Sequence, residues 1–202
     1  ASPCSAAMDT APSDWTEANQ AFLAAALSRI KACLARRGTA QVGAEAALPA
    51  FVGAPPALER IARGFGLSRF ERDLLLLCAG VELDAEIATL CAQAAGDPAR
   101  MHPTFSLALG TLPEAHWSAL SPDAPLRRWR LIEPGEGPSL TLAPLRIDER
   151  VLHCLAGVRQ LDERLAALLE VLPPADPADL VPSQRDAATE AASAWRTHAE
   201  TV

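Results

Sequence analysis

Three arginines and a tryptophan stand together at Arg127-Arg128-Trp129-Arg130, and this group carries the clearest recognition chemistry in the chain. A guanidinium forks onto a carboxylate or a phosphate. A tryptophan beside it offers a large flat apolar face. Such a group can hold a nucleic-acid backbone or anchor a protein interface, as can the separate Trp15. The charge balance argues against nucleic acid. From Arg127 to Arg150 five arginines meet four acids, so the local surplus is small, and the 202-residue chain has a net charge of −7. Nucleic-acid binders usually present a basic face.

Catalytic spacings are absent from the sequence. A phosphate-cradling loop needs Gly-x-x-x-x-Gly-Lys followed by Ser or Thr, and the one lysine, Lys31, follows no glycine. Gly64-Phe65-Gly66 lacks the third glycine of a dinucleotide fingerprint. His102, His116, His153 and His198 form no i,i+4 pair with one another or with a cysteine. His153 and Cys154 are adjacent, which on a helix points them about 100° apart. Glu82, Asp84 and Glu86 cluster where a helix N-terminus would favour acids. Cys4, Cys33, Cys78, Cys91 and Cys154 are widely spaced with no Cys-x-x-Cys pair, which argues against a disulfide framework or a zinc site. The last four have apolar neighbours and are expected to be buried thiols, which suits a reducing, cytoplasmic setting. No apolar run approaches the roughly 20 residues of a membrane span, and no signal peptide is visible. The expectation is a non-enzymatic chain that holds no cofactor and no metal.

The secondary structure around these residues reads as mostly helical. The hydrophobic half of the chain is rich in alanine and leucine, which favour helix, and aromatics make up only 4%. Asp14 and Glu17 predict a capped helix over Asp14–Arg37. Phe22, Leu23, Leu27, Ile30 and Leu34 form its apolar stripe, and Gly38 stops it. Gly43, Pro49, Gly53, Pro55 and Pro56 read as a linker, so this helix is expected to pack apart from the rest. A short helix follows over Ala57–Gly64. Ser68 and Glu71 predict a capping box for a helix through Leu74-Leu75-Leu76-Leu77-Cys78, which is apolar all round and so the buried centre. Gly80 is expected to end it and Asp84 to cap the next. Further helical stretches are expected over Thr104–Leu112, Glu114–Leu120, Asp148–Gly157 and Leu161–Leu172, with a start at Ser121-Pro122 and a weak helix or coil over Ser183–His198. Arg127–Glu133 and Ser139–Ala143 read as strands around the turn Pro134-Gly135-Glu136-Gly137-Pro138. The expected class is mainly α: a helical domain with a winged-helix module carrying one small antiparallel β-hairpin. Its expected division is a disordered leader (1–12), an N-terminal helix (13–38), a linker (39–56), a winged-helix-like domain (57–172) and a Pro/Ala-rich tail (173–202).

The runs Leu67-Ser68-Arg69-Phe70-Glu71-Arg72-Asp73-Leu74-Leu75-Leu76-Leu77-Cys78-Ala79, Ser121-Pro122-Asp123-Ala124-Pro125-Leu126-Arg127-Arg128-Trp129 and Leu145-Arg146-Ile147-Asp148-Glu149-Arg150-Val151-Leu152 resemble the winged-helix N-terminal region of a group of bacterial AAA+ ATPases. Some of these are encoded beside phage-tail-like contractile injection systems. The resemblance implies that ATP and magnesium belong to an ATPase module on the C-terminal side, and that the tail leads towards it. It implies a role in recruiting a protein substrate or adaptor, or in assembling the parent ring by self-association. Two other readings remain open: a winged-helix DNA-binding regulator using Arg128 and Arg130, and a dimerisation module pairing the stripe of the first helix with its copy.

Overall fold

The computed structural model describes residues 11–36, 48–49, 51, 53–158 and 179–199. Along them run α1 (Ala11–Ala35), α2 (Ala57–Phe65), α3 (Arg69–Leu83), α4 (Ala85–Ala95), α5 (Phe105–Thr111), a 3-10 turn (Trp117–Leu120), α6 (Pro125–Arg128), β1 (Ile132–Pro134), β2 (Leu145–Ile147), α7 (Glu149–Leu155) and α8 (Pro182–Ala199). The chain divides into two units, Ala1–Gln160 and Leu161–Val202. The architecture is mainly α with one antiparallel two-stranded sheet, as the composition predicts.

Local chemistry sets most boundaries in the first unit. The Ser68 hydroxyl accepts from the Glu71 amide while the Glu71 carboxylate accepts from the Ser68 amide, closing the expected capping box. Asp84 accepts from the Glu86 amide and starts α4. Thr104 does the same for α5 through the Leu107 amide, and Asp148 for α7 through the amides of Arg150 and Val151. Gly66 and Gly96 take the left-handed conformation that ends α2 and α4.

Packing explains the all-apolar run. Helix α3 lies against α1, α4 and β2, so Leu74 to Ala79 are buried on every side. Gly80 does not end this helix. It stays helical, and a Cβ there would lie 2.6 Å from Ile87 Cδ1 and 3.2 Å from Leu27 Cδ2, so its lack of a side chain lets α1 and α4 close in. Helix α1 begins at Ala11, ahead of the expected Asp14 cap. It does not pack apart: Phe22, Leu23, Leu27, Ile30 and Leu34 belong to the same core as Leu74–Leu77. The stripe proposed for self-pairing is therefore spent inside the domain. A buried Arg29–Asp73 ion pair ties α1 to α3. Asn19, also buried, accepts from the Ala57 amide at 2.8 Å and donates to the Leu155 carbonyl at 2.9 Å, joining α1 to α2 and α7.

The hairpin departs from the expected strands. The pairs are Ile132 with Ile147, Glu133 with Arg146 and Pro134 with Leu145. Arg127 and Arg128 lie in α6, which Pro125 opens at its first position, the role expected of Pro122. Ser139–Ala143 is a turn within the 135–144 connection: the Ala143 amide donates to the Ser139 carbonyl at 2.9 Å. The Ser106 amide donates to the Thr141 carbonyl, and the Leu145 amide to the Pro103 carbonyl, both at 2.9 Å, which ties this wing to the start of α5. Helix α8 covers the stretch expected as weak helix or coil, and its side chains are exposed from Pro182 to Ala194. Most of the leader, most of the linker and the leucine repeat Leu161–Leu172 lie outside the described residues.

Candidate recognition surface

Residues 116–131 form a strap across the α2–α3 turn, and the strap positions the arginine–tryptophan group. At one end the His116 ring meets Phe70 edge-on, with centroids 5.2 Å apart, and its Nε2 lies 3.4 Å from the Ser68 hydroxyl. At the other end the Trp129 indole meets Phe65 at 5.7 Å. Between them the strap is pinned by its own backbone. The Trp129 amide donates to the Pro125 carbonyl and the Leu131 amide to the Leu126 carbonyl, with Leu126 buried. Arg130 adopts φ +54°, the left-handed region that non-glycine residues seldom take, which turns the chain from α6 into β1.

The four neighbours have separate roles. Arg127 turns inward and donates from Nη1 to the Leu120 carbonyl at 2.7 Å, linking α6 to the 3-10 turn. The Arg128 guanidinium lies over the Trp129 ring, 5.5 Å from its centroid, and forms no ion pair among the described residues. Trp129 is 54% exposed despite its contact with Phe65. Arg130 pairs with Glu133 at 3.1 Å, and Glu133 stands opposite Arg146 in the hairpin register. Trp15 belongs elsewhere. Half-buried, it donates its indole N–H to the Pro55 carbonyl at 3.2 Å and serves the seam beside Gly157.

A second exposed tryptophan lies on the same strap. Trp117, on the 3-10 turn, is 65% exposed, the most exposed large apolar side chain described. A tryptophan so close to the Pro113-Glu114 turn in a chain this poor in aromatics is its signal in the sequence. The wing, by contrast, has little to offer a phosphate. Residues 135–144 contain no lysine or arginine and one glutamate, and α5 carries no charge at all.

The remaining chemical candidates are structural where they are described. Cys33, Cys78 and Cys91 are buried, and burial pushes the Cys78 thiol far up and that of Cys91 up to about 12. Cys154 is exposed rather than buried, because it points away from the α7 face that carries Leu155. Asp84 and Glu86 hold Lys31 at 2.6 Å each, fastening α1 to the start of α4. That hydrogen bond to Lys31 lowers the Asp84 carboxyl below its ordinary range. No group of three or more His, Cys, Asp or Glu among the described residues could hold a metal ion. None of the described helices is long and apolar enough to cross a membrane.

A family model described as a winged helix domain, variant, matches residues 5–169. No curated protein and no solved structure matches the chain.

Proposed function

The chain belongs to the variant winged helix domain family, and we propose that it is a non-catalytic, cytoplasmic protein-recognition domain serving a AAA+ ATPase. Its role would be to recruit a substrate or adaptor, or to aid ring assembly, with ATP and magnesium handled by the parent's motor module. The observation that carries this reading is Trp129, half-exposed on a backing of Phe65 with an uncommitted arginine laid over it. Tryptophan and arginine dominate the energetic centres of protein interfaces. The resemblance of Leu67–Ala79 and Ser121–Trp129 to the N-terminal regions of bacterial AAA+ ATPases, some tied to contractile injection systems, supplies the context.

The DNA-binding alternative has the arginines in its favour and the placement against it. Winged-helix and helix-turn-helix readers put a helix into the major groove and neutralise phosphates with cations. Here most of α3 is buried, α5 is uncharged, and the 135–144 connection of the wing carries no cation, while Arg146 on β2 stands opposite Glu133. Affinity capture from source cells after in-cell cross-linking, with and without nuclease, separates the two. A discrete protein that survives nuclease and is lost with Trp129→Ala/Arg130→Ala supports recognition. Capture that disappears with nuclease, or tight salt-sensitive binding to duplex DNA, would replace it with the regulator.

A further inference from the structure

We propose that the surface flanking the α2–α3 turn, with Trp129 on Phe65 under Arg128 at one end and exposed Trp117 beside His116 at the other, takes an acidic linear segment of a partner protein. In such a segment Asp or Glu residues flank an apolar side chain. This deepens the recognition reading above and rests on it.

The placement comes first. Trp117 adjoins His116, which touches Ser68 and Phe70, while Trp129 touches Phe65. The two tryptophans therefore flank the turn between α2 and α3. They are also the two most exposed large apolar side chains described. The strap that carries them is fixed by the Arg127–Leu120 bond and by the backbone bonds around Leu126. A rigid, preformed anchor lowers the ordering cost of binding.

Charge then selects the occupant. Residues 63–69 and 113–131 contain five arginines and two acids, in a chain whose net charge is −7. Some of that charge is already engaged: Arg69 pairs with Glu114 at 3.0 Å and Arg130 with Glu133. Arg63 and Arg128 form no ion pair among the described residues. Arg128, lying over an indole, presents a planar fork suited to a carboxylate. Two uncommitted guanidinium groups suit a peptide with one or two well-placed acids. A nucleic-acid track draws its affinity from neutralising many phosphates, and this surface has few cations to do so.

The test is to pan a phage-displayed random dodecapeptide library against the full chain. Recovered peptides are then synthesised and titrated by fluorescence polarisation, with fluorescein-labelled oligo(dT)20 as a second probe. The expected result is enrichment of Asp and Glu around one apolar residue. Binding should weaken about tenfold or more in Trp129→Ala and in Trp117→Ala, and further in Arg128→Glu than in Arg128→Ala. Met101→Ala, which removes another exposed apolar side chain, should leave it unchanged. Circular dichroism confirms that each variant is folded. Peptides that bind equally well to all four variants of this surface would overturn this assignment while leaving protein recognition standing. An absence of enriched peptides together with oligo(dT)20 binding would overturn both.

Discussion

The heart of the domain and its strap are built on opposite rules. In the heart, where α1, α3 and α4 meet, every side of Leu74–Ala79 is covered, and even charge is buried as the Arg29–Asp73 pair. In the strap, backbone hydrogen bonds share the fixing with buried Leu120, Leu126 and Leu131, while Trp117 and Trp129 stay largely exposed. Burial makes the heart sensitive to any change of volume or charge. The strap can lose its tryptophans and keep its shape. Stability and recognition are thereby assigned to different residues, and substitutions should separate them.

The largest effect is expected at the buried pair. Asp73→Ala removes the buried carboxylate that faces the Arg29 cation, and losing one partner of a buried pair costs about 3–5 kcal/mol. Chemical denaturation should show that loss, while Trp129→Ala should cost far less. Equal losses would mean that Trp129 holds the fold as firmly as the buried pair does. Next comes Gly80→Ala, whose new methyl would press on Ile87 and Leu27. Overpacking of this kind costs about 1–3 kcal/mol, again read by denaturation. A Gly80→Ala protein as stable as the parent would show that α1 and α4 can move apart freely.

The wing should respond locally. A Cβ on Gly137 would lie 2.6 Å from the Ala143 Cα, a contact with backbone that no rotamer can relieve. Gly137→Ala is expected to open the 135–144 connection with little change in global melting. Amide exchange at Gly135, Ala143 and Leu145 should accelerate, while amides of α3 stay protected. Faster exchange throughout α3 would join the two regions into one cooperative unit.

The same contrast decides what could be read from the sequence. The heart announces itself: Ser68 and Glu71 are three residues apart before a run of leucines, and that spacing has one physical meaning. The stripe of α1 was equally visible, but not its destination, because burial against α3 and α4 is non-local and the proline-rich segment after it suggested independence. The strap is hard to read for a different reason. Arg127–Glu133 has the look of a strand, yet Pro125 preorganises one helical turn and Arg130 takes a left-handed conformation that sequence preference disfavours. The exposure of Trp117 and Trp129 was beyond reach of periodicity, since both lie in elements of four residues or at the end of one.

The smallest effect separates two caps, one in each region. Asp84 starts α4 in the heart, and its carboxyl is lowered first by a hydrogen bond from Lys31 on α1 and then by the Glu86 amide. Asp148 starts α7 behind the wing, lowered first by Arg150 of its own helix. A carboxyl whose folded pKa is depressed stabilises the fold above the ordinary carboxylate range, and that contribution fades as pH falls through the lowered value. Both caps should therefore weaken only on the acid side. Lys31 runs the other way. Its ammonium is raised, chiefly by Asp84, so its contribution is present below the ordinary lysine range and is lost only as pH climbs through the raised value. Carboxyl titration by NMR in Lys31→Met should find Asp84 moved up towards its ordinary range and Asp148 where it was. Movement of both would mean that the caps share a field across the domain, whereas movement of Asp84 alone shows that the heart's cap depends on a distant helix and the wing's cap on its own.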